Sequence, residues 1–217
     1  MALVAGVDGI AGGWVAVVLD GGKLAHIQVV EPPETSFDEL AEAEVIAVDV
    51  PIGFGPAREA DALARQILRP CKGASRVFPI PAEETLLAAL QAVRYRKGLG
   101  VQAQVYRIGD RICHVTALAA SDRRIYEVHP EISFWAIKGD CLDYSKHTYG
   151  GVEERRALLE RAGILPEAAG AAARIGVADV LDAAAAAWSA HRILTGEASS
   201  LPSSIKKGRK RRPAIWY

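Results

Sequence analysis

The sequence predicts an α/β fold: a mixed five-stranded sheet with helices on its faces. Three observations predict it. Three short apolar runs near the start are parted by glycine-rich turn signals. Two further apolar runs appear only after or between helical stretches. The chain of 217 residues carries 38 alanines and only 6% aromatics, a composition suited to helices packed tightly on a sheet.

Residues 3–8 (LVAGVD), 14–19 (WVAVVL) and 24–30 (LAHIQVV) read as strands, with hairpin turns at Gly12-Gly13 and Asp20-Gly21-Gly22, so the opening is an antiparallel meander. Thr35 or Ser36 caps a short helix, Ser36 and Glu39 having capping-box spacing. Residues 44–50 (EVIAVDV) form a buried fourth strand stopped by Pro51. Residues 57–68 are helical, and 69–81, with three prolines, a loop. Residues 82–96 and 101–120 read as two helices separated by Lys97-Gly98. Residues 124–128 (RIYEV) form the fifth strand, ended by His129-Pro130. A short helix over 131–138 and a polar loop over 139–150 follow, then a helix over 151–163 with Gly163 as its C-cap. Residues 166–175 are alanine-rich and undecided; 177–195 form a long helix ended by Gly196. The expected organisation is one domain over 1–217, a helical insertion over about 52–120, and a basic C-terminal segment over 199–217. The final AIWY is too sticky to hang free and is expected to dock.

Formal charge is zero, from 26 basic and 26 acidic residues, but 206–212 (KKGRKRR) holds six of the cations. The remaining body has 20 basic against 26 acidic residues. The basic run suits a nucleic-acid backbone and equally a solvated tail. Cys71, Cys113 and Cys141 are odd in number without C-x-x-C spacing, so no disulfide framework is expected and a cytoplasmic, reducing location follows. MALVAGVDGIAGG lacks a basic n-region and is broken by Asp8, unlike a signal peptide. No charge-free apolar stretch approaches 18 residues, so no membrane span or membrane partner is expected.

The acids carry the functional signal. Asp8 ends the first strand and Asp49 the fourth; Glu127 lies in the fifth and Glu131 just beyond, within E-V-H-P-E. Asp179 and Asp182 share a face at the start of the last helix, followed by five alanines that let it sit close to a sheet. If strands one and four pair in parallel, Asp8 and Asp49 become neighbours. Like charges that close raise each other's pKa, and a hard divalent cation resolves the conflict. Two such ions could clamp a phosphodiester. Each acid alone has a plainer reading: Asp179 an N-cap, Asp49 a turn former, His129-Pro130 a strand stop. Arg58, Asp61 and Arg65 at i, i+3, i+7 would hold a phosphate or form a surface ion-pair ladder, and Arg76 is a similar candidate. His129 would activate water, contact a leaving group or be structural. Gly12-Gly13 with Asp8 is also similar to the phosphate loop of actin-like kinases, but 217 residues cannot hold the two domains that reading requires.

V-D-G-I-A-G-G-W-V-A, A-V-D-V-P-I-G-F, R-x-x-D-x-x-A-R (58–65), S-R-V-F-P-I-P (75–81), Y-E-V-H-P-E-I-S-F-W (126–135) and D-V-L-D-A-A-A-A-A (179–187), in this order, resemble domain of unknown function 429, a family of predicted RNase H-like nucleases. The resemblance runs over essentially the whole chain. It implies an RNase H-like fold with sheet order 3-2-1-4-5, strand two antiparallel, and acids at Asp8, Asp49, the E-V-H-P-E segment and the D-V-L-D segment. Holliday-junction resolvases share that layout, but carry Glu where this chain has Asp49, whose reach to a metal is shorter.

The expected function is a divalent-metal-dependent nuclease on a two-metal carboxylate site. Asp8 and Asp49 would share Mg²⁺ or Mn²⁺; Glu127 or Glu131 and Asp179 or Asp182 would complete the ligand set, with Asp182 the expected ligand of that pair. Arg58, Arg65, Arg76 and His129 would meet the substrate, a nucleic acid of unspecified type. The alternative is a non-catalytic RNase H-like scaffold that binds nucleic acid or protein. Phosphoryl transfer with a nucleotide is disfavoured by length.

Overall fold

Alternation along the strands decides which face each side chain serves. The computed structural model describes residues 2–31, 37–55, 58–167, 170–203 and 213–217. The predicted meander is β1 (Leu3–Ile10), β2 (Gly13–Asp20) and β3 (Lys23–Val30). On the other side of β1, β4 (Ala43–Val48) pairs with it in parallel, and β5 (Ile125–Glu127) pairs in parallel with β4. The order is β3-β2-β1-β4-β5, with β2 antiparallel to both neighbours. This is the RNase H-like arrangement.

Between β4 and β5 run four helices: α1 (Glu59–Leu68), α2 (Glu83–Leu90), α3 (Ala103–Arg107) and α4 (Gly109–Ser121). After β5 come α5 (Pro130–Lys138), α6 (Tyr149–Arg161) and α7 (Val177–Thr195). Ala5, Val7, Ala16, Ile46 and Val48 face the layer holding Leu86 of α2, Val105 of α3 and Ile112 of α4. Val4, Val15, Val17, Val45 and Ala47 face the layer holding Phe134 of α5, Leu158 of α6 and the alanines of α7.

The packing of α7 on β1 is unusually close because both surfaces lack bulk. Ala183 to Ala187 are fully buried. A Cβ on Gly6 would lie 2.0 Å from the backbone nitrogen of Ala187 and 2.2 Å from the carbonyl oxygen of Ala183. Glycine at position 6 is therefore what lets the helix backbone rest on the strand backbone.

Several boundaries differ from expectation. The helix expected over 82–96 stops at Leu90 because its apolar face ends there; Val93 is fully exposed. The helix expected over 101–120 is two, broken at Ile108, whose φ of −107° and ψ of 8° leave the helical region. The undecided stretch over 166–175 contains a 3-10 turn over Gly170–Arg174. The short helix after β3 is a 3-10 turn over Asp38–Leu40; its expected caps Thr35 and Ser36, and the basic run over 206–212, lie outside the described residues.

The expected docking of the final residues occurs. Ile215–Trp216 forms β7, pairing with β6 (Ser200–Leu201), and Trp216 bridges to Val128 beyond β5. The expectation that the cysteines stay unbridged is corrected: Cys71, after α1, and Cys141, after α5, form a disulfide, and Cys113 is free. The two lie 70 residues apart but on loops that the packing of α1 against α5 brings together, which spacing alone cannot reveal. The argument from free thiols to a reducing compartment loses its premise. Among the described residues no helix is long and apolar enough to cross a membrane.

Candidate metal centre

Strand parity places the first two acids. Asp8 follows Val4 and Gly6 on the α7 side of β1, and Asp49 follows Val45 and Ala47 on the same side of β4. The parallel register pairs Val7 with Val48, and Asp49 N–H donates to the Val7 carbonyl at 2.9 Å, so the two acids leave the sheet side by side. Asp182 reaches them from the second turn of α7, held against the strand ends by the Gly6–alanine contact. Each of Asp8, Asp49 and Asp182 offers a carboxylate oxygen within 4.8 Å of the others.

The three are nearly withdrawn from water, and the electrostatics follow. Burial, then the charges of Asp49, Asp182 and Asp179, holds the Asp8 carboxyl well above the usual range. Burial first and Asp182 next push Asp49 up to about 8. Asp182 is raised by burial, which outweighs the pull of Lys146. The Lys146 ammonium, from the loop before α6, donates to Asp182 Oδ2 at 2.5 Å. Burial alone would lower that lysine's pKa, but the three aspartates together raise it. One Asp8 oxygen accepts from the Gly9 N–H at 2.7 Å. Asp182 Oδ1 is buried with no hydrogen-bond partner. A buried carboxylate oxygen left without a donor is costly, and three acids this close cannot all ionise without protons or a cation. A cluster of hard oxygen donors with one oxygen orphaned fits a small divalent cation such as Mg²⁺ or Mn²⁺.

The other expected acids stand outside this group. Glu127 shares the parity of Ile125, so it leaves β5 toward the opposite layer. There one oxygen accepts from Arg58 and the other from the Ile52 N–H at 2.8 Å. Glu131, in the first turn of α5, divides its oxygens between Arg76 and Arg155, the latter at 2.8 Å. Asp179 is not the N-cap; Gly176 is, and Asp179 sits in the first turn with its charge felt at Asp8.

Arg58 is not part of a surface ladder. Its guanidinium is 1% exposed, bonded to Glu127, to Asp61 at 3.1 Å and to the carbonyls of Ile52 and Gly53. It ties the chain after β4 to β5 and so positions Asp49. Arg65 donates to the Val77 carbonyl at 3.0 Å, holding the loop after α1. Arg76 is different: its side chain is 35% exposed, and it lines the same cleft as the carboxylates. His129 also lines it, with Nε2 3.4 Å from the Arg76 carbonyl and Nδ1 unpartnered, and burial lowers its pKa. Lys146 and the fully buried Arg155 were not legible: each is a single cation in a polar loop or helix, with no spacing that marks it.

The cleft has a volume of about 460 Å³. Asp8, Asp49 and Asp182 line it together with the cations Arg76, Arg111 and Lys146. Acids beside cations in one concave site can hold a metal on one side and an anion on the other.

No curated protein matches the sequence. Among solved structures, "T. thermophilus RuvC in complex with Holliday junction substrate" is similar at 17% identity, with a TM-score of 0.41, over 91% of this chain and 98% of that one. A second Thermus thermophilus RuvC structure is similar at 16% identity, with a TM-score of 0.37, over 90% and 97%. The family described as Protein of unknown function (DUF429) matches over residues 6–207. That stretch runs from within β1 to beyond β6 and includes all three clustered aspartates, and the chain belongs to this family.

Proposed function

We propose that the protein is a divalent-metal-dependent phosphodiesterase acting on nucleic acid. One observation carries the reading: Asp8, Asp49 and Asp182, from three separate elements, converge within 4.8 Å with an oxygen of Asp182 buried and unpartnered. These three would hold Mg²⁺ or Mn²⁺. When bound, such a cation supplies Lewis acidity toward a phosphate oxygen and toward water. Arg76, at the exposed edge of the cleft, orients the phosphate by hydrogen bonding. His129 would accept a proton at Nδ1, which has no protein partner. Lys146 supplies positive charge at the carboxylates and limits their repulsion.

The two-metal form of the site requires a further acid. Glu127 and Glu131 line the same cleft but are engaged by arginines and a backbone N–H, and Asp179 acts on Asp8 only through its charge. The arrangement therefore supports one cation held by the three aspartates, with Lys146 as the second positive charge. The scaffold reading draws on the same lysine: an ammonium that already neutralises Asp182 lessens the need for a metal.

Calorimetric titration of Mn²⁺ into metal-free protein, with Asp8→Asn and Asp49→Asn beside wild type, decides between them. Binding by wild type that both substitutions abolish supports the metal centre and leads to cleavage assays on single-stranded, branched and hybrid substrates. A folded wild type that takes up no Mn²⁺, alone or with a phosphodiester present, refutes it in favour of the scaffold.

A further inference from the structure

We infer that residues 93–97, in the insertion between α2 and α3, form the docking surface for a single strand of nucleic acid; this deepens the reading that nucleic acid is the substrate. Over residues 85–109 the chain carries Arg94, Arg96, Lys97 and Arg107 and no acidic residue, on a body that is otherwise acidic. All four are exposed, and among the described residues none makes an ion pair or a side-chain hydrogen bond. What sets this stretch apart is that its four cations fall within 14 residues with no carboxylate among them.

Between these cations stand apolar groups. Val93 is fully exposed and Tyr95 is 36% exposed, giving the alternation Val-Arg-Tyr-Arg-Lys. The segment is irregular but anchored. Tyr106 donates to the Ala92 carbonyl at 2.6 Å, and its ring centroid lies 5.6 Å from that of Tyr95 at an angle of 55°. An aromatic ring held in place among unpaired cations is what a single strand requires: backbone phosphates on the arginines and lysine, a base on the ring. A duplex hides its base faces and gains nothing from Val93 and Tyr95. The helix that carries Tyr106 also lines the carboxylate cleft through Gln104, so a strand seated on 93–97 is led toward the aspartates.

Fluorescence anisotropy of the full-length protein in EDTA, with labelled oligo(dT), oligo(U) and a duplex of equal length, tests this. The expected result is tighter binding of either single strand than of duplex. Replacing Arg94, Arg96 and Lys97 by Gln together should weaken single-strand binding at least tenfold at low salt. It should also flatten the slope of log K against log salt by about 2, three phosphate contacts at ~0.7 each. Tyr95→Ala should cost about tenfold with the salt slope unchanged. An unaltered slope in the triple variant, equal affinity for duplex, or no nucleic-acid binding by wild type overturns the inference. Cleavage is scored separately with Mn²⁺ and Asp8→Asn. Binding through 93–97 without Mn²⁺-dependent cleavage defeats the nuclease reading alone. Cleavage with binding indifferent to the triple variant defeats the docking surface alone.

Discussion

Replacing Asp49 by Asn should stabilise the metal-free protein, increasingly so as pH rises. Asp49 has its pKa raised from 3.8 to about 8 by burial and by Asp182. For an acid the sign is unfavourable. Below about pH 4 the carboxyl is neutral in both folded and unfolded chains and costs nothing. Between pH 4 and 8 the unfolded chain releases the proton while the folded one retains it, so folding loses about 1.4 kcal/mol per pH unit. At pH 7 the loss reaches roughly 4 kcal/mol. The three acids titrate together, so a single replacement relieves part of a shared cost. Half of it, about 2 kcal/mol, corresponds to ~4–8 °C in Tm for a chain of this size. Differential scanning fluorimetry in EDTA at pH 5, 6, 7 and 8 reads this directly: wild type should lose Tm across the series, and Asp49→Asn should lose less. Mn²⁺ at a hundredfold its Kd should restore about 2.7 kcal/mol to wild type and little to the variant. A variant that melts below wild type at pH 8, or keeps the same pH slope, would refute the electrostatic account of the cluster.

Three further outcomes follow from other contacts. Lys146→Met leaves Asp182 buried without its counter-ion and should destabilise the metal-free protein by about 3 kcal/mol in urea titrations, with Mn²⁺ reversing most of the loss. Gly6→Ala drives a methyl into the backbone of α7; a loss of more than 3 kcal/mol and weakened Mn²⁺ binding are expected together, since the helix carries Asp182. Cys71→Ser removes a crosslink between residues 70 apart and should lower stability by about 4 kcal/mol under oxidising conditions, with no difference from wild type after reduction.

Most of the fold was legible because its signals are local. Gly12-Gly13 and Asp20-Gly21-Gly22 fix the meander, and α7 begins and ends where its pattern and Gly196 require. The insertion was less so. Its helices are short, and their ends are set by contacts such as those of Leu86 and Leu90 on Gly109, which no periodicity encodes. At the site, Asp8, Asp49 and Asp182 were legible from strand ends and the alanine run. Glu127 and Glu131 stayed undecided as ligand candidates because strand parity and helix start do not show which charges will meet them; both line the cleft, paired with arginines. The surroundings of the arginine face over 58–65 were hidden for a different reason. Helical spacing shows which side chains share a side but not what meets that side, and here Glu127 takes Arg58 while Arg65 turns to the Val77 carbonyl. Lys146 comes from a loop, where position follows from tertiary closure alone.

The contact of Gly6 with α7 bears on which ions the cluster would accept. The separation of Asp8 from Asp182 is set by main chain resting on main chain, with no side chain between to compress or swing. Asp49 is tied to the same strand through its own N–H. A cage of such fixed width discriminates by ionic radius. Ions bound at about 2.0–2.1 Å and ions that want 2.3–2.6 Å with more ligands would then have to be told apart by how far the three carboxylates turn on a fixed backbone. Accommodation falls also to Lys146, the member of the cluster carried on a loop, so competition between a large and a small divalent ion would register as movement of that lysine.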